Sequence, residues 1–254
     1  MSTVQIEIKD GIGTIRLAGP RGNAMSEALV TDLSSALRTV GGEPSVRVVL
    51  LTSGHPKLFC PGLDLISLSA FERAEMGAYM VNFAALLTDL FALKKPVVAA
   101  VNGAAIAGGC LLALTADWRI AKRGAAMGLN EVKVGVPLPW SAVMLLRAAA
   151  RASALSEVAL LGRNFEGEAA VAAGLAHEIA EADAFDSVVA ERLAEFAEKD
   201  AYAFGVTKGY LRRAAVTSMR DRETALLDEF LDGWFSEGTQ ERIRKTVNAL
   251  EART

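Results

Sequence analysis

The chain has 254 residues, 27 basic against 30 acidic side chains for a formal charge of −3, and 52% hydrophobic residues. That length suits one α/β unit, and so apolar a composition excludes a disordered chain, which cannot bury enough surface to offset its conformational entropy. The slightly acidic balance lacks the basic excess of a nucleic-acid binder. Two cysteines, Cys60 and Cys110, exclude a disulfide framework, and two separated histidines, His55 and His177, are too few for a zinc cluster. The opening MSTVQIEIKD shows no basic-then-apolar leader, so the expected location is cytoplasmic.

Val4, Ile6 and Ile8 alternate up to Asp10-Gly11, and Ile12, Ile15 and Leu17 resume beyond it, which is the pattern of a β-hairpin. Ser26 is placed to cap a helix that carries Leu29, Leu33 and Leu37 on one face and ends at Gly41-Gly42. VRVVLL at 46–51 reads as a strand buried on both faces of a parallel sheet. SGHPKLFCPG at 53–62 reads as a loop. Tyr79, Phe83, Leu86, Leu87 and Leu90 form one helical face.

Residues 96–116 carry no charge, a run long enough to suggest a membrane span. Asn102-Gly103 and Gly108-Gly109 interrupt it, however. It reads instead as a buried strand over 96–101, a turn, and a buried helix opening at Cys110. Strands are expected over 118–121 and 125–129, and beyond Pro139 nearly everything is helix-compatible. Strands alternating with helices, then a helical tail, predict an α/β core with mostly parallel strands. The expected division is a core over 1–200 and a helical region over 201–254. That tail, with Phe230, Trp234 and Phe235, either closes over the core, packs against another subunit, or simply finishes the core.

The familiar chemical signatures are missing: no GxxxxGK[ST], no complete GxGxxG, no HExxH, no CxxC and no GxSxG. Acid–base chemistry on an activated carbonyl stays open. Three segments carry the positive signal: KLFCPGLDL at 57–65, NGAAIAGGC at 102–110 and GLNEVKVG at 128–135. In this order and spacing they resemble the crotonase family, also called the enoyl-CoA hydratase/isomerase family, and the resemblance runs over most of the chain. It implies a crotonase-like α/β fold of repeated ββα units, closed by the helical C-terminal region.

The resemblance also implies a site. The N–H groups of Leu63 and Gly108 become an oxyanion hole for a thioester, and such donors typically contribute ~3 kcal/mol each to the reaction. Read without the resemblance, Gly62 and Gly108-Gly109 only permit tight turns. Glu131, by itself a solvated carboxylate at a strand end, falls where the family places a catalytic glutamate. Its context GLNEVKVG resembles the Δ3,Δ2-enoyl-CoA isomerase branch. Arg21, Ala24, Lys57 and Asp64 fall where the family meets coenzyme A, though Arg21 and Lys57 also suit plain surface and Asp64 a helix cap. Lys208 resembles a residue that reaches the nucleotide end of the carrier, from its own subunit or a neighbour. Trp140 and Met144 suit an acyl pocket or the core. Cys60 and Cys110 read as packing residues, and His55 as a loop residue with no role.

Departures from the family pattern narrow the chemistry. Hydratases of the family carry a second glutamate twenty positions before the first, where this chain has Leu111. Dienoyl-CoA isomerases and dehalogenases use an aspartate where Pro139 stands. One base and an oxyanion hole suffice for a 1,3-proton shift. The expectation is therefore an enzyme that isomerises a 3-enoyl-CoA, needs no metal or redox cofactor, receives coenzyme A as part of its substrate, and assembles as a trimer or hexamer. The rivals are an atypical hydratase and an acyl-CoA-binding protein without turnover.

Overall fold

The computed structural model describes residues 2–252. The hairpin forms as its alternation predicts: β1 (Val4–Lys9) and β2 (Ile12–Leu17) pair antiparallel around Asp10 and Gly11, both at positive φ. A tight turn at Pro20–Asn23, α1, leads to α2 (Glu27–Gly42). Ser26 caps α2 by accepting from Leu29 N–H, while Leu29, Leu33 and Leu37 are buried.

The next units each add one strand to each of two sheets. They comprise β3 (Val48–Ser53), β4 (Leu58–Cys60), α3 (Leu65–Leu68) and α4 (Arg73–Ala92). Then come β5 (Val97–Val101), β6 (Ala104–Ile106) and α5 (Gly108–Leu114). After these stand β7 (Trp118–Lys122), β8 (Met127–Gly128), α6 (Glu131–Val134) and α7 (Trp140–Ala149). One sheet runs β1-β2-β3-β5-β7-β10 and the other β4-β6-β8-β9, with β9 (Asn164–Phe165) and β10 (Glu178–Ala180) completing them. From β2 onward the large sheet is parallel.

Short 3-10 and π turns at Ala152–Ala154 and Ser156–Leu160 precede β9, and α8 (Gly167–Ala172) follows it. α9 (Phe185–Ala197) lays Phe185, Val189 and Leu193 over Val48, Val98 and Ile120 on one face of the large sheet. α10 (Ala201–Trp234) and α11 (Glu237–Glu251) bury Met219, Phe230, Leu231, Trp234 and Ile243 in the main hydrophobic core on the other side. The tail thus packs on its own chain's core. No helix among the described residues is long and apolar enough to cross a membrane.

Five expectations are corrected. The loop at 53–62 contains β4, and the turn after Asn102 opens into β6. The buried helix begins at Gly108, two residues before Cys110. The helix-compatible tail holds β9 and β10. Glu131 opens a single helical turn rather than ending a strand. Strands of two or three residues are too short to show an alternation, and form because neighbours supply their hydrogen bonds.

Candidate active site

Two backbone N–H groups converge where β4 and β6 end. Met25 makes an isolated parallel bridge to Leu63, donating from its N–H to Gly62 O at 2.8 Å and accepting from Asp64 N–H at 3.3 Å. A residue lying between two such bonded neighbours turns its own N–H to the opposite side. Leu63 N–H therefore points away from Met25 and meets no acceptor among the described residues. Tyr79 steadies the bridge: its buried hydroxyl donates to Met25 O at 2.7 Å.

Gly108 supplies the second donor. Ala107 holds φ 52° and ψ −125°, costly for a residue with a Cβ, while its N–H donates to Gly128 O at 2.8 Å. This twist starts α5 at Gly108, whose N–H is one of the free donors of a helical first turn. A Cβ on Gly108 would lie 3.6 Å from Gly62 Cα and 3.1 Å from Met25 Sδ, and one on Gly109 would strike the Cys60 carbonyl. Only bare backbone brings the two donors this close.

Glu131 follows the Gly128 carbonyl that anchors Ala107. α6 closes on Gly135 at φ 81°, and Val136 N–H donates to Glu131 O at 3.0 Å. The carboxyl oxygen Oε2 is buried with no hydrogen-bond partner among the described residues. Burial raises the Glu131 pKa to about 7. The Cys110 thiol is pushed up to about 12, first by its own burial and then by the Glu131 charge. A desolvated carboxylate working with two free donors can take a proton from carbon α to a carbonyl whose oxygen those donors hold. Activity that uses this base rises with pH through a midpoint near 7 and then levels, because only the ionised form accepts a proton. A kcat/KM profile from about pH 5 to about pH 9 reads that midpoint directly.

The family model described as enoyl-CoA hydratase/isomerase matches residues 7–253. The chain belongs to the enoyl-CoA hydratase/isomerase family. It is 27% identical to mouse enoyl-CoA delta isomerase 1, mitochondrial, over 98% of this chain and 86% of that one. It is 34% identical to a putative enoyl-CoA hydratase of Thermus thermophilus, over 91% of this chain and 97% of that one. The crystal structure of human mitochondrial delta3-delta2-enoyl-CoA isomerase matches with a TM-score of 0.94 at 25% identity, covering 99% of both chains.

Within this family fold, the residues singled out in the sequence separate into two groups. The Gly62-Leu63 and Ala107-Gly108 segments adjoin, Glu131 stands three residues after the carbonyl that binds Ala107, and Leu111, 1% exposed, lies one turn beyond Gly108 on α5. Lys57 is exposed on the rim, and its ammonium has no partner among the described residues. Its backbone is organised by His55, whose Nδ1 accepts from the N–H groups of Lys57 and Leu58 at 3.2 and 3.1 Å, so His55 shapes the turn rather than idling in it. Ala24 is buried beside the Met25 bridge.

Other residues are committed internally. Asp64 caps α3, accepting from Ser67 N–H, and is ion-paired with Arg21, so the Arg21 charge is already met within the chain. Trp140 Nε1 donates to Ser218 Oγ at 3.1 Å. Lys208 is corrected outright: it is 5% exposed, pairs with Asp117 at 2.6 Å and donates to Lys95 O at 3.0 Å. It clasps α10 to the core and does not reach outward to a carrier. Cys60 and Cys110 are buried packing residues. Sequence reasoning missed Met25, Tyr79 and Ala107, which aim the donors. Only the Ala-Gly-Gly run hinted at any of them, and it reads as a turn.

Proposed function

We propose that the chain moves the double bond of a 3-enoyl-CoA to give the 2-trans-enoyl-CoA. The observation that carries this reading is the Glu131 carboxyl, whose Oε2 is shielded from water without a hydrogen-bond partner among the described residues and whose pKa is raised to about 7, with a leucine at position 111. The thioester oxygen lies between the N–H groups of Leu63 and Gly108. Glu131 takes the C2 proton, and the C2–H electron pair conjugates through to the thioester oxygen as a dienolate. Glu131 then returns the proton at C4, the C2–C3 double bond forms and the thioester carbonyl is restored. Lys57 is the cation placed to meet the phosphates of coenzyme A, which arrives as the acyl carrier. The similarity to proteins named as delta isomerases supports the same reading.

Tyr202, Tyr210 and Leu211 are 82%, 66% and 82% exposed along α10, which supports assembly of subunits through this helix into a trimer or hexamer. Hydration is the second reading, favoured by the 34% identical relative named a putative hydratase. Parallel assays on a 3-enoyl-CoA and on crotonyl-CoA separate the two. Turnover of crotonyl-CoA at about 10 per second or more, typical of a dedicated enzyme, with none on the 3-enoyl-CoA rejects isomerisation. Leu111→Glu adds the second carboxylate that holds and activates a water. It is expected to raise crotonyl-CoA hydration at least about tenfold over the wild-type baseline. Product identification by mass spectrometry checks it.

A further inference from the structure

Glu131 stands on an element that cannot hold itself in place. α6 has four residues and buries none of them, whereas an isolated helix needs roughly 12 to be even marginal. Its position is set by what grips its ends. On the N-terminal side the grip is the Ala107 N–H on Gly128 O at 2.8 Å. The π turn at Ser156–Leu160 and Gly162 flank α6 beside Val132, while on the C-terminal side the side-chain hydrogen bonds come from α10 and α11. Thr239 Oγ1 on α11 donates at 2.8 Å to the carbonyl of Gly135, the residue that caps α6. Gly233 on α10 lies against Pro137, so that an added Cβ would sit 2.7 Å from the ring. Glu223 on α10 accepts from Ser141 N–H at 2.5 Å and so caps the start of α7. Thr239 is 3% exposed and Glu223 9% exposed, so water cannot take over these bonds unless the helices part.

We propose that Thr239 and Glu223 are positioning residues for Glu131. By holding residues 135–141 from above, α10 and α11 set where the carboxyl stands and keep it out of water. The proposal rests on Glu131 being the base. The ionisable groups around the turn are the Cys110 thiol of α5, Lys133 on α6 itself, Arg242 of α11, and Glu157 and Arg163, which pair with each other at 2.8 Å. None of them hydrogen-bonds Glu131, so no side-chain partner fixes the carboxyl and its place follows from how the backbone of residues 128–141 is held.

The test uses the full chain with Thr239→Val and Glu223→Leu, each beside its conservative counterpart, Thr239→Ser and Glu223→Gln. Loss of either grip is expected to lower kcat on a 3-enoyl-CoA by about tenfold with KM within about twofold, since small misplacements of a reacting group are costly. The kcat midpoint near 7 should fall towards 4.5, the ordinary glutamate value, as water reaches the carboxyl. The conservative variants should restore both. A 13C NMR titration of the Glu131 carboxyl, assigned with Glu131→Gln, follows the same midpoint without any turnover. A wild type inactive on 3-enoyl-CoA would thus defeat the functional reading while leaving the clamp testable. If Glu223→Leu fails to fold, Thr239→Val decides alone. A Thr239→Val protein with wild-type kcat and an unmoved Glu131 titration overturns the proposal.

Discussion

Glu131→Gln is expected to lower kcat on a 3-enoyl-CoA by about 100- to 10,000-fold while KM and the fold persist. Glutamine matches glutamate in volume but cannot accept a proton at neutral pH, so the C2 proton has no base. Binding survives because the N–H groups of Leu63 and Gly108 and the rim cation Lys57 are untouched, which confines the loss to the chemical step. Stability should move the other way. The folded value of about 7 lies above the ordinary 4.5. The protonated carboxyl therefore stabilises the fold fully below pH 4.5, and that contribution is lost as pH rises through 7. A neutral amide does not suffer this loss, so at pH 8 the variant should melt no lower than the wild type. Steady-state kinetics beside thermal melts at pH 5 and pH 8 measure both effects. Retention of more than about a tenth of wild-type kcat means that Glu131 is not the base.

Gly62→Ala attacks the other half of the site. Gly62 has φ +102°, and an added Cβ would lie 2.8 Å from Ala107 Cβ, 3.1 Å from Ile106 O and 3.3 Å from Gly108 N. The methyl group wedges between the two donor segments, and the backbone adds strain of about 1–3 kcal/mol because L residues avoid this φ. Once the N–H groups of Leu63 and Gly108 no longer reach one oxygen, kcat should fall by about 100- to 1,000-fold, the typical loss of one oxyanion donor. Gly42→Ala is the matched control, since nothing lies within 4 Å of its added Cβ. It should leave both activity and melting temperature near wild type. A Gly62→Ala protein with full kcat would remove the two N–H groups from the mechanism.

Local chemistry determined a good part of this molecule from the sequence alone. Asp10-Gly11 makes a hairpin because both residues adopt positive φ between alternating strands. Ser26 starts α2, since a cap acts within one turn, and the helix runs out at the glycine pair, whose residues are poor helix formers. VRVVLL became a central parallel strand because only a strand covered on both faces tolerates so continuous an apolar run. The three glycine-bearing segments, in order, carried the family resemblance that nominated Leu63, Gly108 and Glu131 as site residues.

Tertiary structure alone decided the rest, wherever the deciding partner is distant in the chain. β4, β6, β8 and β9 have two or three residues each and exist only as members of a second sheet. A lysine in an amphipathic tail looks the same whether it meets solvent or a buried aspartate. Asp117, 91 positions away, turned Lys208 from a ligand contact into an internal clasp. Thr239 lies 104 positions from Gly135, and no spacing rule links a hydroxyl near the C-terminus to the cap of the turn that carries Glu131. The basicity of that glutamate is decided in the same way: sequence supplies the carboxyl, but its pKa near 7 comes from burial by segments that only folding brings together.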